Sequence, residues 1–318
     1  MSWKLGIIGG SGLYGLPGLE EVRKQRLHTP WGEPSGALVH ARLDGVELVF
    51  LPRHDESHRI PPSNINYRAN IDALKRAGVT DVLSLSACGS LKEELAPGAF
   101  VAVDQFVDRT FARDKSFFSE GCVAHVAMAD PVCRRLSALA ADAAEAAGAA
   151  HVQRGGTYLA MEGPQFSTRA ESALYRSWGL DVIGMTNMPE AKLAREAELP
   201  YASMCMVTDY DCWRSADDDV DINAILKVMK ANTETAHALV RHLVATLANT
   251  ERTPSPQGIE TALDFAILTA PDHRDPELVA KLDAVAGRVW ASARRRGAPA
   301  TCFRRERSPS ADRRSLSA

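Results

Sequence analysis

Short apolar runs alternate along this chain with stretches of helical periodicity, and that alternation restricts the folds open to it more than any other feature. Leu5–Ile8, Leu48–Leu51, Asp81–Leu85, Phe100–Val103, Asp181–Met185 and Tyr201–Val207 read as strands buried on both faces. Between and after them, Ile65–Arg76, Arg134–Ala147, Thr168–Ser177, Met188–Ala197 and Ile222–Ala248 carry helical spacing. Such an order predicts an α/β fold, a single domain with a central mixed β-sheet flanked by helices. The last helix offers Ile222, Ile225, Leu226, Val228 and Met229 as an apolar stripe expected to pack inward. Beyond Leu247 the composition changes. Residues 249–258 read as a linker, and Thr261–Leu268 and the amphipathic Pro276–Trp290 predict a small helical appendix packed on the core. From Ala293 the chain is rich in Arg, Ser and Pro, which predicts disorder. The expected division is 1–248 as the main domain, 249–292 as a helical extension and 293–318 as an Arg-rich tail.

The 318 residues can bury a substantial core, and a formal net charge of −3 is too small to point to a nucleic-acid or membrane partner. The Arg clusters of the tail come without aromatic interleaving or a recognisable fold and read as solvated. No run has the length of a membrane span, and Met1-Ser-Trp-Lys-Leu lacks a signal-peptide pattern. Six cysteines stand without CxxC spacing, which argues against zinc and against a disulfide framework and fits a reducing cytoplasm. No HExxH or carboxylate–His spacing suggests a metal.

The chemistry is concentrated at predicted strand ends, where α/β sheets bind ligands. Asp209 and Asp211 follow Tyr201–Val207; continued strand geometry puts residues i and i+2 on one face. Two crowded carboxylates tend to share a proton, leaving one donor and one acceptor, the pattern that matches N7 and the exocyclic amine of adenine. A helix cap or solvated loop is the alternative. Gly9-Gly-Ser-Gly12 follows the first strand; without an acidic residue about 20 positions on it is not a dinucleotide fingerprint. It reads either as a tight turn or as backbone N–H groups and the Ser11 hydroxyl around a phosphate. Arg53-His54 follows another strand, where a guanidinium fork suits an oxyanion and a local ion pair with Asp55 or Glu56 is the alternative. Ser84–Ser90 and Gly184-Met185-Thr186 end two more strands with hydroxyls and glycine. Cys212, with no His near it in sequence, reads as a small buried thiol.

In this order these residues resemble the S-methyl-5′-thioadenosine phosphorylases, the adenine-preferring branch of the trimeric purine nucleoside phosphorylase family. The resemblance runs from Gly6 to about Leu247 and rests on Gly9–Gly12, Arg53-His54, Pro62–Asn70, Ser86–Leu91, Met161–Glu171, Met185-Thr186, Pro189-Glu190 and Thr208–Trp213. It implies phosphorolysis of methylthioadenosine to adenine and 5-methylthioribose 1-phosphate, a step of purine and methionine salvage. Inorganic phosphate is then a co-substrate, and neither metal nor organic cofactor is implied. It implies that Ser11, Arg53, His54, Ser86, Ala87 and Thr186 surround phosphate, with Ser86 and Met185 near the ribose. Phe166 and Ser167 would lie by sugar and base, and Asp209 and Asp211 at N7 and the exocyclic amine. The resemblance also gives the methylthio group an apolar pocket of Ile222, Ile225 and Leu226, and lends His125 to a neighbouring subunit's site in a homotrimer.

Ser11 and Ser86 stand where relatives usually carry threonine, and Asp55-Glu56-Ser57 adds negative charge beside the anion site. One rival is a 6-oxopurine or methylthioinosine phosphorylase. Members of that kind carry glutamate and asparagine at positions occupied here by Ser167 and Asp209, and a 6-oxo group would face the Asp211 carboxylate without a donor. Another rival is a non-catalytic nucleotide-binding protein on the same fold.

Overall fold

The computed structural model describes residues 2–10, 12, 15–214 and 222–295, with backbone alone for 222–225 and 293–295. Along the chain run β1 (Lys4–Gly9), β2 (Glu20–Gln25), β3 (Leu38–Leu43), β4 (Val46–Pro52), α1 (Tyr67–Arg76) and β5 (Asp81–Ser90). Next come β6 (Ala99–Val103), β7 (Gln105–Asp108), α2 (Arg134–Ala146), β8 (His151–Arg154), β9 (Thr157–Ala160) and α3 (Arg169–Ser177). The series closes with β10 (Val182–Gly184), α4 (Asn187–Glu196), β11 (Tyr201–Asp209), α5 (Ile222–Ala248), α6 (Pro276–Lys281) and α7 (Gly287–Arg295).

The strands form one mixed sheet. Its main path is β2-β3-β4-β1-β5-β10-β9-β7, and β11 leaves β5 on the other side to pair with β6, which pairs with β8. β1, β5 and β11 lie parallel at the centre and are apolar on both faces, as strands covered by helices must be. Successive residues of β11 alternate between two cores. Tyr201, Cys205 and Val207 join the core under α1 and α4; Ala202 and Met204 join the one under α2 and α5. Four small buried residues of α2 (Ala140, Ala141, Ala143, Ala144) meet Leu239, Val240 and Leu243 of α5 in that second core. β2, with the sequence Glu-Glu-Val-Arg-Lys-Gln, is exposed along nearly its whole length and supplies a charged edge that resists pairing with other chains.

Helix boundaries follow their caps. Asn66 accepts the N–H of Ala69, so α1 starts at Tyr67 after a 3-10 turn at Pro62–Asn64, two residues later than the periodicity predicts. Thr168 and Glu171 form a reciprocal capping box at α3. The α5 stripe departs from expectation. Leu226 is 57% exposed and Met229 40%, and the buried face starts later, with Asn232, Ala236, Leu239 and Leu243.

Pro276–Trp290 is not one helix: α6 stops at Lys281 and α7 starts at Gly287, with Leu282, Val285 and Ala286 buried between and beside them. Thr261–Leu268 is largely turn, entered by a 3-10 turn at Ile259–Thr261. This C-terminal stretch enters the main core, since Leu263, Leu278, Leu282 and Val285 share a cluster with Ile71 and Leu193. Arg252 also binds Asp81 at the foot of β5 and Glu260 at 2.9 Å. α7 runs to Arg295, past the point where disorder is predicted to begin; residues 296–318 of the predicted tail lie outside the described residues.

Candidate active site

β5 creates a gap in the sheet. On the edge away from β11 it pairs with β1 only over Asp81–Ser84 and with β10 only at Gly89–Ser90. Among the described residues Leu85–Cys88 have no strand partner on that edge, and a cavity of about 420 Å³ opens beside them. Its walls come from the loop after β1 (Gly10, Gly12), the end of β4 (Arg53, His54), β5 (Ser86, Ala87) and the β10–α4 junction (Met185, Thr186). Asp209 and Asp211 close one end, and α5 adds Met229, Asn232 and Thr233. This is the strand-end position that α/β sheets use for ligands.

At the other end Arg53 is buried, and its partners are remote in sequence. Nε donates to Glu190 Oε2 at 2.9 Å, Nη2 to Ser84 Oγ at 2.6 Å and to Glu190 Oε1 at 3.2 Å, and Nη1 to the Leu85 carbonyl at 3.2 Å. Tyr201 donates its hydroxyl to the same Glu190 at 2.9 Å. Burial works against the guanidinium charge, and the Glu190 carboxylate more than restores it, so Arg53 stays cationic. The bidentate face is thus spent on Glu190, and Arg53 presents the cavity with a fixed positive charge. Asp55 instead pairs with Arg59.

His54 Nδ1 lies 2.8 Å from the Ile60 carbonyl oxygen, which assigns the ring proton to Nδ1 and leaves Nε2 a lone pair. Burial, with Arg53 close by, lowers its pKa to about 4, so it is neutral near pH 7. It stacks on His58, 4.4 Å between centroids. The Ser86 hydroxyl reaches Asn187 Oδ1 at 3.3 Å. The Thr186 N–H donates to the Tyr158 hydroxyl at 3.2 Å, an approach that needs Gly184, where a Cβ would stand 2.1 Å from that oxygen. Ser11 lies outside the described residues.

The carboxylate pair converges by a different route from strand alternation. The β5–β11 register slips between Val207 and Asp209, a bulge that re-aims the strand end. Beyond it, Asp211 adopts φ 53 in a turn where its N–H donates to Asp209 Oδ1 at 2.8 Å. Thr208 donates to Asp209 Oδ2 at 2.7 Å. A Cβ at Gly89 would stand 3.1 Å from Asp209 Oδ1 and 3.4 Å from the Asp211 Cβ, so glycine lets both acids close over β5. Burial pushes both carboxyls above the usual range, and the Asp209 charge adds to the shift at Asp211. The hydroxyls of Ser172 and Ser167 and the Cys212 N–H lie near the Asp211 carboxyl and act against that shift.

Phe166 and Met185 line the cavity, Phe166 while 67% exposed. Ser167 lies behind the wall, its hydroxyl 3.7 Å from Met161 Sδ and its carbonyl accepting from Cys212 Sγ at 3.2 Å. Leu226 does not line the cavity, and the side chains of Ile222 and Ile225 lie outside the described residues. His125 is exposed and outside the cavity, its backbone N–H bonded to the Ala266 carbonyl at 2.9 Å. The sequence does not single out Asn232 and Thr233, and it offers Met229 only as an inward-packing stripe residue. Their signal was the helical continuation of the stripe from Ile222, with polar residues entering it at Asn232 and Thr233. Among the described residues no cluster of three or more His, Cys, Asp or Glu is grouped as a metal site.

A fixed cation and neutral histidine at one end of a strand-end cavity, with two raised carboxyls at the other, suit a reaction between an anion and a nitrogen base. The chain belongs to the phosphorylase superfamily, whose profile matches residues 4–245. Within it, the chain is similar to S-methyl-5′-thioadenosine phosphorylase of Cereibacter sphaeroides, 61% identical over 289 residues that cover 91% of this chain and 99% of the relative. It is also 55% identical to that of Rhodospirillum rubrum, over 90% of this chain and 96% of the relative. Among solved structures it resembles a methylthioadenosine phosphorylase from an antarctic soil metagenomic library, with a TM-score of 0.84 and 43% identity. That match covers 89% of this chain and 99% of the other. Methylthioadenosine phosphorylase from Schistosoma mansoni in complex with adenine gives a TM-score of 0.78 at 36% identity, over 86% of this chain and 99% of that one.

Proposed function

We propose that this chain is a pentosyltransferase that phosphorolyses S-methyl-5′-thioadenosine to adenine and 5-methylthioribose 1-phosphate. The observation that carries the reading is the polarity of one cavity: Arg53, His54 and Ser86 at one end, the Asp209/Asp211 pair at the other. Phosphate oxygen forms the new bond to the anomeric carbon while the bond to purine N9 breaks, its electron pair leaving with the base. Arg53 holds the anion by charge, and neutral His54 accepts a hydrogen bond from a P–OH through Nε2. The hydroxyls of Ser86 and Thr186 complete the anion's surroundings with Ala87 beside them, and the resemblance adds Ser11, which lies outside the described residues.

Charge accumulates on the departing purine, and a proton delivered to N7 stabilises it. Burial raises Asp209 toward the protonated form that can supply that proton. The Asp211 carboxylate lines the cavity and can accept from the exocyclic amine of adenine, an N–H that a 6-oxo group lacks. Phosphate serves as co-substrate, and the reading requires neither metal nor organic cofactor. Met185 faces the ribose and Phe166 the sugar and base. The resemblance gives Ile222 and Ile225, at the start of α5, to the methylthio group; Leu226 lies outside the cavity.

The reading includes a homotrimer in the cytoplasm, serving purine and methionine salvage, with His125 completing a neighbour's site. Supporting the assembly, the surface around His125 exposes Phe265 (97%), Leu268 (65%) and Val123 (40%). No helix among the described residues is long and apolar enough to cross a membrane. The test is a substrate panel: adenine release from methylthioadenosine should require phosphate and should far exceed base release from methylthioinosine and inosine.

A further inference from the structure

Arg113 does not line the cavity, and its side chain is 1% exposed, yet its guanidinium ties together segments that form the wall. Nε donates to Glu162 Oε1 at 3.1 Å. Nη1 donates to the Met188 carbonyl at 2.7 Å, to the Met185 carbonyl and to the Tyr67 hydroxyl at 3.2 Å. Nη2 donates to the Glu162 carbonyl at 2.6 Å and to that of Met161 at 3.4 Å. One rigid fork thus holds the segment after β9, the junction between β10 and α4, and the first residue of α1. Two residues the fork reaches, Met161 and Met185, line the cavity, as does Thr186 between the two bonded carbonyls at Met185 and Met188.

The fork is itself fixed. Glu162 receives hydrogen bonds from the Ser63 hydroxyl and from the N–H groups of Phe111 at 2.6 Å and Ala112 at 3.1 Å. Burial opposes its charge, but these bonds and Arg113 outweigh it and hold the carboxyl at about 2. A planar guanidinium can serve carbonyls in several directions at once, and an ammonium cannot reproduce that geometry.

We infer that Arg113 is a positioning residue for the ribose and phosphate end of the site: it sets the backbone at Met161 and Met185–Met188 and so aims Met185 and Thr186. The inference rests on the phosphorolysis reading above. It separates the two ends of the cavity, since Asp209 and Asp211 are held by the bulge and turn of β11 and not by Arg113.

Arg113→Lys and Tyr67→Phe test it, each assayed beside wild type for kcat, for KM of phosphate and of methylthioadenosine, and for the Kd of free adenine. Arg113→Lys should raise the phosphate KM by about tenfold or more, as misplacement of a fixed group does, and leave the adenine Kd within about twofold. Tyr67→Phe deletes one acceptor of the fork and should move the same KM the same way by a smaller factor, with little change in melting temperature. If Arg113→Lys does not fold, Tyr67→Phe carries the test alone. Unchanged KM values with a kcat that only follows the folded fraction would overturn the inference, as would adenine affinity falling in parallel with phosphate. Wild type that fails to release adenine with phosphate overturns the function and this inference together; an active wild type beside variants with unchanged KM overturns the inference alone.

Discussion

Asp209 and Asp211 are one residue type held in two environments within one cavity. Both are raised by burial; Asp209 accepts from Thr208 and from the Asp211 N–H, whereas the Ser172 and Ser167 hydroxyls and the Cys212 N–H act against burial at Asp211, and the Asp209 charge acts with it. Asp209→Asn keeps the shape and removes the acid. Steady-state phosphorolysis of methylthioadenosine should fall about 100-fold or more, and preference should shift toward 6-oxopurines; an unchanged rate would show that Asp209 does not serve N7. Arg53 depends likewise on Glu190. Glu190→Gln leaves a buried guanidinium without its counter-charge, a loss on the order of 3–5 kcal/mol for a broken buried pair. Chemical denaturation should report that loss, and the phosphate KM should rise while adenine affinity holds. The sequence placed Arg53, His54, Asp209 and Asp211 at strand ends correctly because that pattern is local. It named Asp55 and Glu56 as ion-pair candidates for Arg53, since nothing local reveals a partner 137 residues away.

Elements bring such partners together, and α4 brings several. Its Glu190 holds Arg53, and its Glu196 accepts from the Ser116 hydroxyl and the Phe117 N–H, both at 2.7 Å, fixing the loop that carries Arg113. Burial outweighs these two bonds and raises the Glu196 carboxyl from 4.5 to about 7. Between those values the folded state binds more protons than the unfolded state, so stability falls as pH rises through that window. The shift corresponds to about 3 kcal/mol, and Glu196→Gln should flatten that part of the denaturation-versus-pH curve; an identical slope in both proteins would refute the assignment. His54, lowered from 6.5 to about 4, acts in the opposite sense, its contribution being lost as pH falls through that range. The central strands were legible as apolar runs. β2 was not, because an exposed edge strand of Glu, Arg and Lys carries no apolar signal, and β7, β8 and β9 are too short to declare a period. The bulge before Asp209 is a property of pairing between strands and leaves no mark in one strand's sequence.

For the whole molecule, the C-terminal stretch from 249 to 292 is bound into the core that supports β1, β5 and β11. Composition marks where it begins, but not that Leu263 and Leu282 lie among residues of α1 and α4. Leu282 is 0% exposed, and Leu282→Ala should cost about 2–5 kcal/mol of stability by thermal or denaturant unfolding. A loss below about 0.5 kcal/mol, the range of surface substitutions, would show the stretch to be a loose appendage. In the proposed reading the molecule positions an anion and a purine at opposite ends of the gap beside β5, and the reading turns on both being used in one reaction. The most direct measurement follows adenine release and phosphate consumption together, with methylthioadenosine, methylthioinosine and inosine each supplied with and without phosphate. The account predicts one phosphate consumed per adenine released, no release without phosphate, and far slower turnover of both 6-oxopurine substrates. Phosphate-independent release, or inosine turned over as fast as methylthioadenosine, would contradict it.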